Sequence, residues 1–183
     1  IFSKVSVISQ AMLEPLASVR TTSMESGRPS LAQVKSSSGL SPVKLIAASV
    51  SPENLIDQRY MFRKIHLIDP STGTHQIASR NEGKLGNYVF SPEGTHLAFA
   101  AARDINDHAV SQAYVLNLAT GEVTNLTPAA FKGHVEWVHW KDNRTLYLYT
   151  GEGVYPKLST VPVEGGSREI LLDASRQGII FGH

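Results

Sequence analysis

Three stretches of this 183-residue sequence follow one template, and the repeat limits the fold more than any other feature. Each is an apolar strand, a Gly-bearing turn and a second short strand. The first runs from Ile65 through Asp69-Pro70-Ser71-Thr72-Gly73 to His75-Gln76-Ile77. The second runs from Tyr114 through Asn117-Leu118-Ala119-Thr120-Gly121 to Val123-Thr124-Asn125-Leu126, and the third from Leu158 through Gly165-Gly166 to Arg168-Glu169-Ile170-Leu171-Leu172. Gly73, Gly121 and Gly166 lie 48 and 45 positions apart. A second template interleaves with the first: Tyr88-Val89-Phe90, the turn Ser91-Pro92-Glu93-Gly94, then His96-Leu97-Ala98-Phe99. Pro92 pre-sets φ at the second turn position, and Gly94 supplies permissive backbone two residues later. Trp137-Val138-His139-Trp140, Lys141-Asp142-Asn143-Arg144 and Thr145-Leu146-Tyr147-Leu148 repeat it, with Trp140 in place of Phe90, and a degenerate copy lies at 43–50. Together the templates give four short strands per unit of roughly 45 residues, the period of propeller blades. An antiparallel sandwich also has short strands between turns. It has no need to repeat Gly turns and aromatic strand ends in register, so the propeller is the preferred reading.

Composition agrees with a strand-and-turn protein: 14 Gly, 9 Pro and only 18% charged residues. Hydrophobic residues make up 42%, enough for a packed core. The net charge of +1 gives no electrostatic footprint for nucleic acid or an anionic membrane, so neither is expected as a partner. No apolar run approaches the roughly 18 residues of a spanning helix. The absence of cysteine excludes disulfides, thiolate metal sites and a cysteine nucleophile, and leaves a cytoplasmic or periplasmic location open.

The chain divides at about residue 41. Residues 1–41 contain a Ser-rich stretch from Ser18 onward and read as an N-terminal extension or linker, or part of a preceding blade, with a short strand near 31–35. Residues 42–183 read as β-propeller blades. About three units are countable, with a further strand near 178–181, whereas closed propellers have about four to eight blades. The sequence starts at Ile1 and runs off an apolar segment, so it is expected to be part of a longer protein. The fold class expected is all-β: an incomplete β-propeller of about three to four four-stranded antiparallel blades.

Phe90-Ser91-Pro92-Glu93-Gly94-Thr95-His96-Leu97-Ala98-Phe99 resembles the blade signature of TolB-type propellers, Phe-Ser-Pro-Asp-Gly followed by an aliphatic–Ala–Phe run. Glu93 departs from the usual Asp, which weakens the turn's side-chain hydrogen bond. The same signature occurs in the N-terminal propellers of the prolyl oligopeptidase family, and 117–127 resembles their outer hairpin. The resemblance is strongest over 88–127, extends over 60–172, and does not reach residues 1–40. It implies a propeller segment that gates or docks peptides for a Ser-His-Asp α/β-hydrolase domain not present in this chain. The alternative is a TolB-like, non-enzymatic propeller that binds a peptide or protein partner. The remainder of the propeller would be its other partner.

No residue is singled out as catalytic, cofactor-binding or metal-ligating. A Gly-x-Ser-x-Gly elbow is absent, and Ser41 and Ser91 precede prolines in turns. His134 and His139 are five apart, which suits neither a helical ligand pair nor one strand face. Asp104-Ile105-Asn106-Asp107-His108 is either a cavity-facing loop or an exposed hairpin linker. Trp137, Trp140, Tyr147 and Tyr149 are expected as two pairs on opposite faces of a sheet. Strands are expected near 43–50, 60–69, 86–90, 96–102, 112–118, 122–126, 135–140, 145–150, 157–163 and 168–172, with Phe90 and Trp140 buried at equivalent blade positions.

Overall fold

The computed structural model describes residues 30–34 and 43–178. The expectations for 1–29, for most of the Ser-rich stretch and for a strand near 178–181 lie outside the described residues. Within them the molecule is all-β, built of three four-stranded antiparallel meanders that resemble propeller blades. The first comprises β1 (Ser30–Val34), β2 (Val43–Val50), β3 (Lys64–Ile68) and β4 (His75–Ile77). The second comprises β5 (Leu85–Phe90), β6 (His96–Ala102), β7 (Ser111–Asn117) and β8 (Val123–Asn125). The third comprises β9 (His134–Trp140), β10 (Thr145–Glu152), β11 (Tyr155–Pro162) and β12 (Glu169–Asp173). Strand β1 comes from the stretch set apart in the sequence, and it pairs with β2 in full register from Ser30 opposite Ala47 to Val34 opposite Val43.

The second sheet is covered on both faces, and its sequence follows from that. In β6, Leu97, Phe99 and Ala101 face the first sheet, in a cluster with Ala47, Ile65 and Leu67. Ala98 and Ala100 face the third sheet, in a cluster with Val138, Trp140, Leu146 and Leu148. A strand buried on both faces reads as a continuous apolar run rather than an alternation. First strands carry much of the contact between sheets, β1 meeting β5 and β5 meeting β9, as expected of blades set around an axis.

Phe90 and Trp140 occupy equivalent places. Each ends its blade's first strand, pairs with a buried leucine (Leu97 and Leu146) and points back at the preceding sheet. The indole N–H of Trp140 donates to the Val89 carbonyl at 3.0 Å, which satisfies its one polar atom inside the seam. Three further bonds stitch the second and third blades. The Asn87 amide both accepts from and donates to the Val138 backbone, at 3.0 and 2.8 Å. The Glu93 N–H donates to Asn143 Oδ1 at 3.0 Å, joining the equivalent turns of the two blades.

Two expectations are corrected. Residues 60–63 do not begin a strand: Tyr60 and Met61 end a short helix, α1 (Ile56–Met61), and β3 starts at Lys64. The run Tyr60-Met61-Phe62 is apolar but lacks a paired strand, and Asp57 near the start with Arg59 near the end favours a helical turn. The aromatics of the third blade do not fall as two pairs. Residues 137 and 140 differ by an odd number, so Trp140 enters the seam while Trp137, opposite Tyr149, shares the other face with Tyr147 and Tyr149.

Candidate functional site

The meander puts the connections of each blade at two ends, and the ends differ in chemistry. At one end lie the turns 69–74, 91–95, 118–122, 141–144 and 163–168. They are short, polar and closed by their own atoms. Asp69 and Asn117 head two turns of the same geometry. Each side chain accepts from the backbone two residues on, and the carbonyl of each accepts from Gly73 or Gly121 at 2.8 Å, with both glycines near φ 71–72°. Ser91 is fully buried, and its Oγ accepts from the N–H groups of Thr95 and His96, both at 3.0 Å. That hydroxyl closes the Ser-Pro-x-Gly turn.

At the other end lie 51–63, 78–84, 103–110, 126–133 and the tight 153–154 connection. Here the second-to-third-strand connection of every blade exposes large apolar side chains: Leu55, Ile56 and Tyr60 from the first, Ile105 from the second, Val154 and Tyr155 from the third. Ile56 is 84% exposed and Val154 86%. Folding gains nothing from such residues, and exposed apolar side chains gathered on one surface mark an interaction site. Among the described residues, none of the polar turns at the opposite end carries an exposed large hydrophobic side chain.

The loops are held in place by polar contacts. Lys84 forms an ion pair with Asp107 at 2.7 Å and sits 4.4 Å from the centre of the Tyr60 ring, tying α1 to the 103–110 loop. Hydrogen bonding to Asp107, and then to Tyr60, holds the Lys84 ammonium above its ordinary pKa. Arg63 donates to the Leu85 carbonyl, and Asn81 donates to the carbonyls of Arg63 and Gly83. Gly83 passes so close to the backbone of Asp104 that a Cβ would lie 2.1 Å from its carbonyl oxygen. Asp104 caps its own loop, accepting from the backbone and side-chain N–H groups of Asn106, and those bonds depress its carboxyl pKa. This Asx turn lifts Ile105 into solvent. The 104–108 segment is thus an exposed, internally bonded loop within the apolar end.

The histidines are dispersed. His134 Nδ1 accepts from the Ser111 N–H at 3.1 Å, His96 lies beside Trp140, and His66 lies beside His75 with ring centres 5.4 Å apart. Among the described residues no three His, Asp or Glu side chains are grouped to hold a metal ion. Nor is any helix there long and apolar enough to cross a membrane. Sequence reasoning missed the apolar end because Leu55, Ile56 and Val154 are ordinary residues one at a time. The signal was positional: each follows the second strand of its blade.

No family model matches the chain, and no curated protein matches it. Among solved structures it is similar to a putative TolB from Agrobacterium tumefaciens, with a TM-score of 0.50 at 14% identity over 79% of this chain and 61% of that one. The chain therefore spans less than two thirds of that protein. At lower TM-scores stand a nidogen/laminin complex (0.48, 13% identity, 70% of this chain and 44% of that one) and TolB from Acinetobacter baumannii (0.45, 19% identity, 69% and 29%). The likeness is one of fold, to TolB-like β-propeller domains.

Proposed function

We propose that this chain is the blade region of a TolB-like, non-enzymatic propeller that serves as a protein-interaction scaffold, with its apolar loop end as the docking surface. One observation carries the reading: equivalent connections of three successive blades expose Leu55, Ile56, Tyr60, Ile105, Val154 and Tyr155 at the same end. Repetition across blades is what a surface used as a whole requires, and Tyr60 and Tyr155 supply the aromatic anchors common in protein interfaces. Both acidic (Glu53, Asp57, Asp107) and basic (Arg59, Arg63, Arg103) residues occur in these connections, so shape and apolar contact, rather than net charge, would select the partner. The division into a 1–41 extension or linker, or part of a preceding blade, and a 42–183 blade region belongs to the same proposal, with β1 (Ser30–Val34) as the part of 1–41 that joins a blade.

The more specific reading, a propeller that gates peptides for a hydrolase domain, draws only on a blade signature that both groups of proteins share. It has no feature of its own in its favour. A triad needs an activated serine, a histidine base and an orienting carboxylate. Buried Ser91 spends its hydroxyl on turn closure.

The test places a photo-activated cross-linking residue at Ile56, Ile105 or Tyr155, and as controls at Glu122 or Arg144 on the turn end. Adducts to one discrete protein from the loop-end positions alone are expected, together with no labelling by a serine-directed probe. Equal adducts from both ends, or none from the loop end, contradict the scaffold reading. Stoichiometric labelling of one serine contradicts its non-enzymatic part.

A further inference from the structure

Each blade ends in an outer strand, β4, β8 or β12, that has one hydrogen-bonded neighbour among the described residues. The unpaired edge of such a strand is a template for another chain, and proteins guard it by keeping it short or polar. Strands β4 (His75-Gln76-Ile77) and β8 (Val123-Thr124-Asn125) are each three residues long and largely polar. Strand β12 departs from both. It is five residues long, Glu169-Ile170-Leu171-Leu172-Asp173, and its three central side chains are exposed, at 44%, 37% and 40%. Among the described residues no backbone hydrogen bond from a turn or loop reaches 169–173. Blades stack through their faces, so this outer edge stays at the perimeter whatever number of blades the ring contains.

Charge around the strand narrows what can pair with it. Arg168, just before it, turns inward and donates to Glu152, Ser159 and Thr150. Lys157, on the neighbouring strand opposite Asp173, is engaged by Asp173 and Glu152. Glu164 in the preceding turn and Glu169 at the start of the strand are exposed, and neither joins an ion pair among the described residues. Arg176 lies beyond the strand, on α2 (Ala174–Gln177). The edge thus offers an aliphatic run that starts behind carboxylates with no cation of their own. A second copy answers this poorly. Antiparallel pairing of β12 with β12 about Leu171 would set Glu169 of each copy against Asp173 of the other, and like charges directly opposite are destabilising.

We propose that β12 is a strand-addition site: an extended segment of a partner protein, apolar in its middle and carrying Lys or Arg where it meets Glu169, pairs with the outer edge and lengthens the third sheet by one strand. Main-chain hydrogen bonds supply the affinity in this mode, and the side chains supply the choice of partner. Ile170, Leu171 and Leu172 meet the apolar middle of the segment, and Glu164 and Glu169 select its basic end. The site is a second docking surface, at the perimeter of the blade, and it uses none of the side chains exposed at the loop end.

The test titrates the full 183-residue chain with a synthetic peptide, acetyl-Lys-Val-Ile-Val-Lys-amide, followed by amide NMR. Saturable binding below about 1 mM is expected, with shifts centred on 169–173 and slower amide exchange there. The same peptide with its backbone amides N-methylated keeps every side chain and charge but loses its donors, and it is expected not to bind. A Glu-Val-Ile-Val-Glu analogue is expected to bind about tenfold more weakly, as is the parent peptide to a Leu171→Lys variant, which puts a charge on the edge. The N-methylated control uses the parent protein, so the test holds even if that variant fails to fold. No saturation, equal binding of the N-methylated peptide, or shifts at the loop end in place of β12 overturns the proposal. Equal affinity for the Glu-flanked peptide overturns its choice of partner. Self-association of the parent chain that Leu171→Lys abolishes assigns the edge to a second copy and overturns it as well. Ile56, Ile105 and Tyr155 lie outside β12, so this result and the cross-linking result stand or fall separately.

Discussion

Trp140 concentrates the packing argument in one side chain. It is 5% exposed, its ring fills the seam between the second and third blades, and its N–H finds a carbonyl on the neighbouring blade. Trp140→Ala is expected to cost about 3–5 kcal/mol of unfolding free energy, measured by urea denaturation. Trp140→Phe keeps much of the packing and leaves the Val89 carbonyl without its donor, at a cost of about 1–3 kcal/mol. A Trp140→Ala variant as stable as the parent would mean that the ring is not a seam residue. The equivalence of Phe90 and Trp140 was legible in the sequence, because both are aromatic residues that end an apolar strand just before a short polar turn. The fate of Trp137 was not, because alternation gives relative faces but does not say which face another sheet will cover.

At the scale of elements, the outer strands are the least secured by apolar burial, and polar networks compensate. Strand β12 exposes Ile170, Leu171 and Leu172. It is held through Lys157, which pairs with Asp173 at 3.6 Å and with Glu152 at 3.1 Å. Arg168 donates to Glu152 at 2.5 Å and to Ser159 and Thr150, both fully buried. Burial by itself would raise the Glu152 carboxyl pKa. The hydrogen bonds from Arg168, Lys157 and Thr150 outweigh it and hold the group below its ordinary value. The sign follows from linkage. A depressed folded-state pKa contributes stability above the unfolded-state pKa, and that stability is lost as pH falls through the folded-state value. Acidification below the ordinary carboxylate range should therefore loosen β12 first, read as faster amide exchange in 169–173 than in β5–β7. Glu152→Gln should abolish that extra acid sensitivity, and an unchanged acid response would rule this network out as its source. Strand positions of this kind were largely readable from period-two alternation, and β2 and β6 were placed to the residue. Helix α1 was not, since an apolar aromatic run is ambiguous between helix and strand until a pairing partner is known.

The whole molecule follows from one repeat. Four strands in a meander return every blade to the same end, so the turns that the sequence marked with Gly and Pro collect on one side. The connections that lie outside the two repeated templates collect on the other. The turns were legible because backbone conformation selects their residues, whereas the apolar loop end was not, because no local rule of folding selects Ile56 or Val154. The claim beneath the rest is that equivalent connections of successive blades lie side by side. The protein has no cysteine, which makes a paired-cysteine experiment clean. Glu93 and Asn143, fifty positions apart in the sequence, meet at 3.0 Å across two blades. With Glu93→Cys and Asn143→Cys combined, a short thiol-reactive cross-linker should join the two turns within one chain rapidly and almost completely, in a protein that remains folded. A folded variant that forms no intramolecular cross-link, or one that links only between chains, would contradict the blade register and with it the gathering of the loops at one end.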